Sequence, residues 1–280
     1  MRISWRKRIS RSLRGELRAL ALSRHGESIV ANTKNGLLAV DPRDFNVSRS
    51  LLKDGSYDWP QIEWLGRIVD ASSRLVFVGS HIGALLVPIT LRAGTRQVTA
   101  LEPSPRNHRL LSMNLALNGL QVVAVHRLAA GDAEGVVRFT ENPINSGNSR
   151  ISASGEVEVP VSRLDSVLAA MDRIDLLVMD TEGFEVRAIR GGTSTLARTR
   201  YFYVEYAPEQ LLEQGSKPAE FIELAAERFR SMYLPGDRVR FFADKTYVQH
   251  LQGLPEQRGL LKNLLFSNEP TARPELMSGT

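Results

Sequence analysis

The stretch Leu75-Val-Phe-Val-Gly-Ser-His-Ile-Gly83 decides how the chain folds. An apolar run of four residues is broken by one glycine, and a second glycine comes four positions later, where an amphipathic window begins. A short buried strand, a tight turn and then a helix satisfy all three features. The alternation repeats downstream. Strands are expected at Leu75–Val78, Gln97–Leu101, Val122–His126, Leu176–Met179 and Tyr201–Glu205, with helices near 83–93 and 105–117 between the first three. Strands that alternate with helices pair in parallel through right-handed crossovers, so the expected class is α/β with a doubly wound sheet.

Working outward, Glu27–Asp41 (ESIVANTKNGLLAVD) reads as a hairpin around Asn35-Gly36, succeeded by helical stretches near 47–53 and 60–69. Val239–Phe242, Thr246–Val248 and Leu260–Phe266 carry strand formers without a full helix between them, which predicts an antiparallel edge. Residues 267–280, SNEPTARPELMSGT, have no periodic apolar pattern and read as an unstructured tail. The expected division is a basic segment 1–20, an N-terminal hairpin and helices 21–70, the main domain 71–266 and the tail 267–280.

In an open parallel sheet, ligands bind beyond the carboxyl ends of the strands, so the residues just past each strand matter most. Past the first come Gly79, Ser80, His81, Ile82 and Gly83, a turn that brings backbone amides near a ligand at a helix start. The dinucleotide spacing G-x-G-x-x-G is not met, because its second and third positions hold His81 and Ala84; this disfavours a nicotinamide dehydrogenase. Glu102 ends the second strand, 19 residues past Gly83, about where an acid reaches the hydroxyls of a bound ribose. Pro103 then fixes the exit. The third strand runs into Ala129-Ala130-Gly131-Asp132, where an adenine could lie on the backbone with Asp132 near its amino group. Asp180 and Glu182 stand past the fourth strand, and Glu205 ends the fifth. Glu182 and Glu185 could simply favour the start of the next helix, but Asp180 ends a buried strand and has no such excuse. The polar segment 139–156 is either a connector or a lid over the acceptor.

Composition narrows the chemistry. The 280 residues hold no cysteine, which removes disulfides, zinc ribbons, iron–sulfur clusters and thiol nucleophiles. The net charge of +5 lies in residues 1–20, MRISWRKRISRSLRGELRAL, with seven cations and one acid; the remainder is close to neutral. Ile9, Leu13, Leu17 and Leu20 fall at helical spacing, the pattern of a basic amphipathic helix. Such a helix is either solvated or lies on an anionic surface, so peripheral contact with the inner face of a membrane is one reading. No apolar run suits a signal peptide or a membrane span, and a cytoplasmic protein is expected.

Taken together, TKNGLLAVDPRD (33–44), SLLKDGSYDWPQIEWL (50–65), LVFVGSHIG (75–83), ALEPSPRNHRLLSMNLALNG (100–119), SRLDSVLAAMDRIDLLVMDTEGFEVRAIRGG (162–192) and YFYVEY (201–206) resemble the FkbM family of S-adenosylmethionine-dependent methyltransferases. The resemblance spans residues 30 to 266. It implies a class I methyltransferase fold, Rossmann-like, with a seven-stranded sheet whose last strand is antiparallel. It also implies methyl transfer to a hydroxyl of a small molecule, sugar, glycan or lipid. It assigns Gly79, Ser80, His81, Ile82 and Gly83 to the S-adenosylmethionine turn and Glu102 to the ribose, and matches Asp180, Glu182 and Gly183 to the D-x-E-G motif. Pro103, Gly131, Asp132 and Asp180 complete the expected cofactor set. Asp180, Glu182 and Glu205 are the expected catalytic carboxylates, Asp180 or Glu182 acting as base and Glu205 fixing the acceptor. No metal and no nucleic acid are expected, since no base-flipping N-P-P-Y loop stands after the fourth strand. The family's D-x-G-A-N-x-G turn departs here at Phe77, Ser80 and His81, so a nucleoside-binding scaffold with weakened cofactor binding is the alternative.

Overall fold

The computed structural model describes residues 28–142, 144–254 and 259–278. The basic segment 1–20 lies outside the described residues. The chain opens with an antiparallel hairpin, β1 (Ile29–Thr33) and β2 (Gly36–Val40), and the helices Val47–Asp54 and Trp59–Leu65. The alternating part comes next as β3 (Arg74–Val78), β4 (Gln97–Leu101) and β5 (Ala124–His126), separated by the helices Leu86–Ala93 and Pro105–Leu117. A second, four-stranded sheet then departs from the main one: β6 (Ala129–Ala130), β7 (Gly135–Thr140), β8 (Arg150–Ile151) and β9 (Val157–Ser162). The chain returns through β10 (Ile174–Met179), β11 (Thr199–Tyr206), β12 (Ser231–Leu234), β13 (Arg240–Phe242) and β14 (Lys262–Ser267).

The main sheet has the order β13-β12-β14-β11-β10-β3-β4-β5. Strands β5, β4, β3, β10 and β11 pair in parallel, while β14 runs antiparallel between β11 and β12. Seven of the eight strands therefore give the class I methyltransferase order with its antiparallel last strand; β13 is an added edge. The central parallel strands β3, β10 and β11 are buried on both faces along most of their length, which is why they read as apolar runs.

Three expectations are corrected. Thr246–Val248 is not a strand, because Tyr247–Gln252 is a helix whose Tyr247 and Leu251 are buried on the sheet. The sequence pattern puts Leu260–Phe266 with the edge group, but β14 sits inside the sheet, and β13 forms the edge through β12. The C-terminal residues are structured through Ser278. Leu276, in the short helix Pro274–Met277, is fully buried, and its carbonyl accepts the Trp64 indole N–H at 2.9 Å. No helix among the described residues is long and apolar enough to cross a membrane.

The N-terminal hairpin is fastened to the main domain by amide side chains. Asn114 and Asn118, one turn apart at the end of Pro105–Leu117, each exchange a pair of hydrogen bonds with the edge of β2, at Ala39 and Leu37 respectively, at 2.6 to 3.1 Å. They act as a substitute strand and satisfy an edge that otherwise stays unpaired. Asn35 is fully buried. Its amide donates to the carbonyls of Tyr57 (2.7 Å) and Ala84 (2.8 Å), and its oxygen accepts the Tyr57 N–H at 2.9 Å.

Candidate functional site

The sheet reverses its winding between β3 and β10, and there the two chain exits nearly touch. The Asp180 N–H donates to the Val78 carbonyl at 2.9 Å. Gly79 has φ +78°, and a Cβ on it would lie 1.7 Å from the Asp180 carbonyl oxygen, so only glycine fits. Above this crossing opens a cavity of about 470 Å³, within the range of small-molecule sites.

On the β3–β4 side the turn and Glu102 form one unit. Glu102, 4% exposed, accepts the His81 N–H at 2.7 Å through one oxygen and the Ser104 N–H at 3.0 Å through the other. Burial nevertheless dominates and pushes its carboxyl up to about 7. The His81 ring faces the polar segment 139–156, with Nε2 2.7 Å from Ser146 Oγ. The Ser146 N–H donates to Asp44 at 3.0 Å. Burial lowers the His81 pKa, against the opposing pull of Asp44, so the ring is neutral near pH 7. Ser146 through Ser149 line the cavity, which ties this segment to the site.

On the β10–β11 side, Asp180, Glu182 and Glu205 bring carboxylate oxygens within 4.8 Å of one another. Asp180 faces the cavity while being surrounded by protein. Burial raises all three pKa values, and mutual repulsion adds to it: Glu185 and Asp58 act on Asp180, and Asp180 on both Glu182 and Glu205. Near neutral pH the cluster therefore shares protons. Glu182 also accepts the Gln210 amide at 2.7 Å. Glu185 does not face the cavity. It turns back and accepts from the Thr181 N–H and hydroxyl, both at 2.8 Å, bracing the motif from beneath.

The N-terminal extension supplies residues that the sequence reading missed. Asn46, Val47, Tyr57, Asp58 and Gln61 line the cavity opposite the strand ends. Asp58 stands at the N-cap position of Trp59–Leu65 yet makes no capping bond and has φ +46°. An aspartate that forgoes its cap in a strained conformation is a signal of function, but one visible only in three dimensions. Among the described residues five non-glycine positions have positive φ, and three of them, Asp58, His81 and Glu182, line this cavity.

The expected residues divide. Gly79, Ser80, His81, Glu102, Pro103, Asp180, Glu182 and Glu205 meet around the cavity. Ile82 and Gly83 lie behind it: Ile82 is buried in the core, its carbonyl accepting from Asn114 at 2.8 Å, and Gly83 packs beneath Leu111. Gly131 and Asp132 are a correction. The third strand of the main sheet ends at His126, and Ala129–Ala130 already belong to the second sheet. Leu128, Ala129 and Ala130 line the cavity, whereas Asp132 faces Arg190 at 3.8 Å and Gly131 packs against Val161. Phe77, standing where the resemblance places a carboxylate, is 2% exposed.

Five acids, Asp58, Glu102, Asp180, Glu182 and Glu205, line the cavity, and among the described residues no Lys or Arg does. Such a field favours a cation, and a sulfonium nucleoside with a ribose edge at Glu102 fits the donor set. Comparison with known proteins identifies the family. The chain aligns with the 2-O-methyltransferase NoeI of Sinorhizobium fredii at 36% identity, over 32% of this chain and 37% of that protein. It also aligns with the methyltransferase sdnD of Sordaria araneosa at 25% identity, over 52% of this chain and 67% of that one. Only about a third of NoeI's length is thus spanned. Among solved structures, M. jannaschii TYW2 in complex with AdoMet superposes over 86% of this chain and 85% of that chain with a TM-score of 0.43 at 12% identity, too distant to add to the sheet order. The methyltransferase FkbM domain model matches residues 78–247, most of the chain, and the protein belongs to that family.

Proposed function

We propose that the protein transfers a methyl group from S-adenosylmethionine to a hydroxyl oxygen of a sugar, glycan, lipid-type or other small-molecule acceptor. The observation that carries this reading is the cavity itself, with five carboxylates, no lining Lys or Arg among the described residues, and a position at the switch point of a methyltransferase sheet. The 2-O-methyltransferase relative supports oxygen as the methylated atom.

The cofactor supplies a methyl group activated on a positive sulfur. Gly79, Ser80 and His81 would hold it along one wall of the cavity, and the Glu102 oxygens, each already accepting one backbone N–H, keep lone pairs that would accept from the ribose hydroxyls. Asp180 or Glu182 takes the acceptor's proton. With the cluster sharing protons, one member is an ionised base while its protonated neighbours donate hydrogen bonds to the acceptor, a role that suits Glu205. A positioned base of this kind contributes about 10²–10⁴-fold.

Calorimetric titration with S-adenosylmethionine, followed by labelled-methyl transfer to a panel of hydroxylated sugars and glycolipids, tests the reading. Saturable cofactor binding is expected, with turnover lost in Asp180→Asn, Glu182→Gln and Glu205→Gln while cofactor binding persists in the last two. Full turnover with all three neutralised overturns the catalytic assignment. Buried Phe77 favours the second reading, a scaffold with weakened cofactor binding, and absence of any binding heat selects it.

A further inference from the structure

We infer that Asp180, Glu182 and Glu205 are the protein ligands of a divalent cation of the hard, oxygen-preferring class, magnesium or manganese, bound on the acceptor side of the cavity. The inference deepens the acceptor half of the methyl-transfer reading and rests on it: with the ion bound the shared protons leave the cluster, and Asp180 or Glu182 takes the acceptor's proton on its uncoordinated oxygen. It revises the sequence expectation that no metal is involved.

The geometry comes first. Each of the three residues offers one carboxylate oxygen, and these oxygens lie within 4.8 Å of one another. Oxygens about 2.1 Å from a magnesium ion stand roughly 3 Å apart when cis and 4.2 Å when trans in an octahedron, so the cluster closes on an ion by side-chain shifts of at most about 2 Å. The donors are all oxygens, a set that suits magnesium or manganese rather than a softer metal. The one nearby imidazole, His81, faces Ser146. Glu182 is pinned by the Gln210 amide at 2.7 Å, and Glu205 stands on β11 opposite Asn263 of β14, so two of the three ligands project from fixed positions.

Among the described residues no Lys or Arg lines the cavity to balance this charge, and Arg150, the cation that acts on Glu182 from outside it, is already paired with Glu213 at 3.1 Å. Asp58 adds a fourth carboxylate to the same face from the opposite wall.

A second, independent feature points into the same place. Tyr203 is 4% exposed and lines the cavity, and its hydroxyl has no hydrogen-bond partner among the described residues. It acts electrostatically on the same group, toward Asp58, Glu205 and Asp180. On a side chain this buried, an unpaired hydroxyl that opens onto the cavity marks a place for a ligand oxygen, here a water or acceptor oxygen on the cation. Three protein oxygens leave coordination positions toward the cavity for oxygens of a hydroxylated acceptor, which would fix the reacting hydroxyl next to the methyl group.

The test titrates chelator-treated, full-length protein with Mn²⁺ alone, without cofactor or acceptor, reading free ion by electron paramagnetic resonance. One saturable site per chain is expected, displaced by excess Mg²⁺. Affinity should fall at least tenfold in Glu205→Gln and in Glu182→Gln and stay unchanged in Glu227→Gln, an exposed acid outside the cavity lining. Circular dichroism establishes that each variant is folded, and if either is not, the wild-type stoichiometry and Mg²⁺ displacement decide alone. Absence of a saturable site, failure of Mg²⁺ to compete, or a site that survives both substitutions overturns the inference. Because cofactor binding is measured separately, a missing Mn²⁺ site leaves the methyl-transfer reading in place, and a missing cofactor site leaves the Mn²⁺ result to be read by itself.

Discussion

Cofactor affinity should depend on pH through Glu102. Its carboxyl is pushed up to about 7 by burial, although the backbone N–H groups of His81 and Ser104 and the Asn107 side chain pull the other way, and Asp180 adds a smaller upward push. Only the ionised form can accept both ribose hydroxyls while holding those N–H donors, so binding and deprotonation are linked. With a midpoint near pH 7, about one molecule in eleven is ionised at pH 6 and about ten in eleven at pH 8; the dissociation constant for S-adenosylmethionine should therefore fall roughly tenfold across that interval. Without cofactor the sign reverses for stability. The folded pKa lies above the unfolded one, so Glu102 weakens the fold as pH rises from about 4.5 to about 7 and has no further effect above that. Calorimetry at pH 6, 7 and 8 measures the first effect. Glu102→Gln should bind more weakly and without the pH dependence, since a glutamine has one acceptor oxygen for two backbone donors. An affinity that is flat from pH 6 to 8, or a tenfold dependence that survives in Glu102→Gln, refutes the assignment of the proton to this carboxyl.

Two further outcomes concern the scaffold. Gly79→Ala drives a Cβ to 1.7 Å from the Asp180 carbonyl and fixes an alanine at φ +78°; the backbone strain alone costs about 1–2 kcal/mol, so thermal denaturation should show a clear loss together with loss of cofactor binding, and a wild-type melting temperature would contradict the close approach. Leu276→Ala empties a fully buried position beneath Trp64 and should cost about 2–4 kcal/mol in urea denaturation; an unchanged midpoint would mean that residues 274–277 do not dock.

The parts of the fold legible in the sequence were those where local pattern and burial agree. β3, β10 and β11 are apolar on both faces, and their runs need no tertiary information to be recognised. The carboxylates at the ends of β4, β10 and β11 derive from the strand boundaries alone, so Glu102, Asp180, Glu182 and Glu205 could be named from spacing. What stayed hidden depends on partners distant in sequence. β12 is the four residues Ser-Met-Tyr-Leu between Arg230 and Pro235, too short for a period to show. β6 and β8 are two residues each, and the second sheet they share with β7 and β9 is invisible as a pattern. Asn35 reads as a hairpin turn residue, and nothing local announces that its amide is buried among carbonyls 22 and 49 positions away. Leu276 is a single apolar residue in a Pro-, Ser- and Gly-containing terminus, and its burial comes from the pocket that Trp64 and its neighbours leave open.

The three bonds of Asn35 have a consequence for how such an enzyme can change its diet. The Asn35 amide clasps the Tyr57 backbone on both sides, while Val47, Leu51 and Ile62 seat the surrounding segment in the core, so the side chains that face the cavity sit on a backbone fixed from behind. Asn46, Tyr57, Asp58 and Gln61 can therefore change their side chains while the Gly79–Asp180 crossing and the Glu102 shelf stay where they are. Selection for a new acceptor would fall on these four positions first.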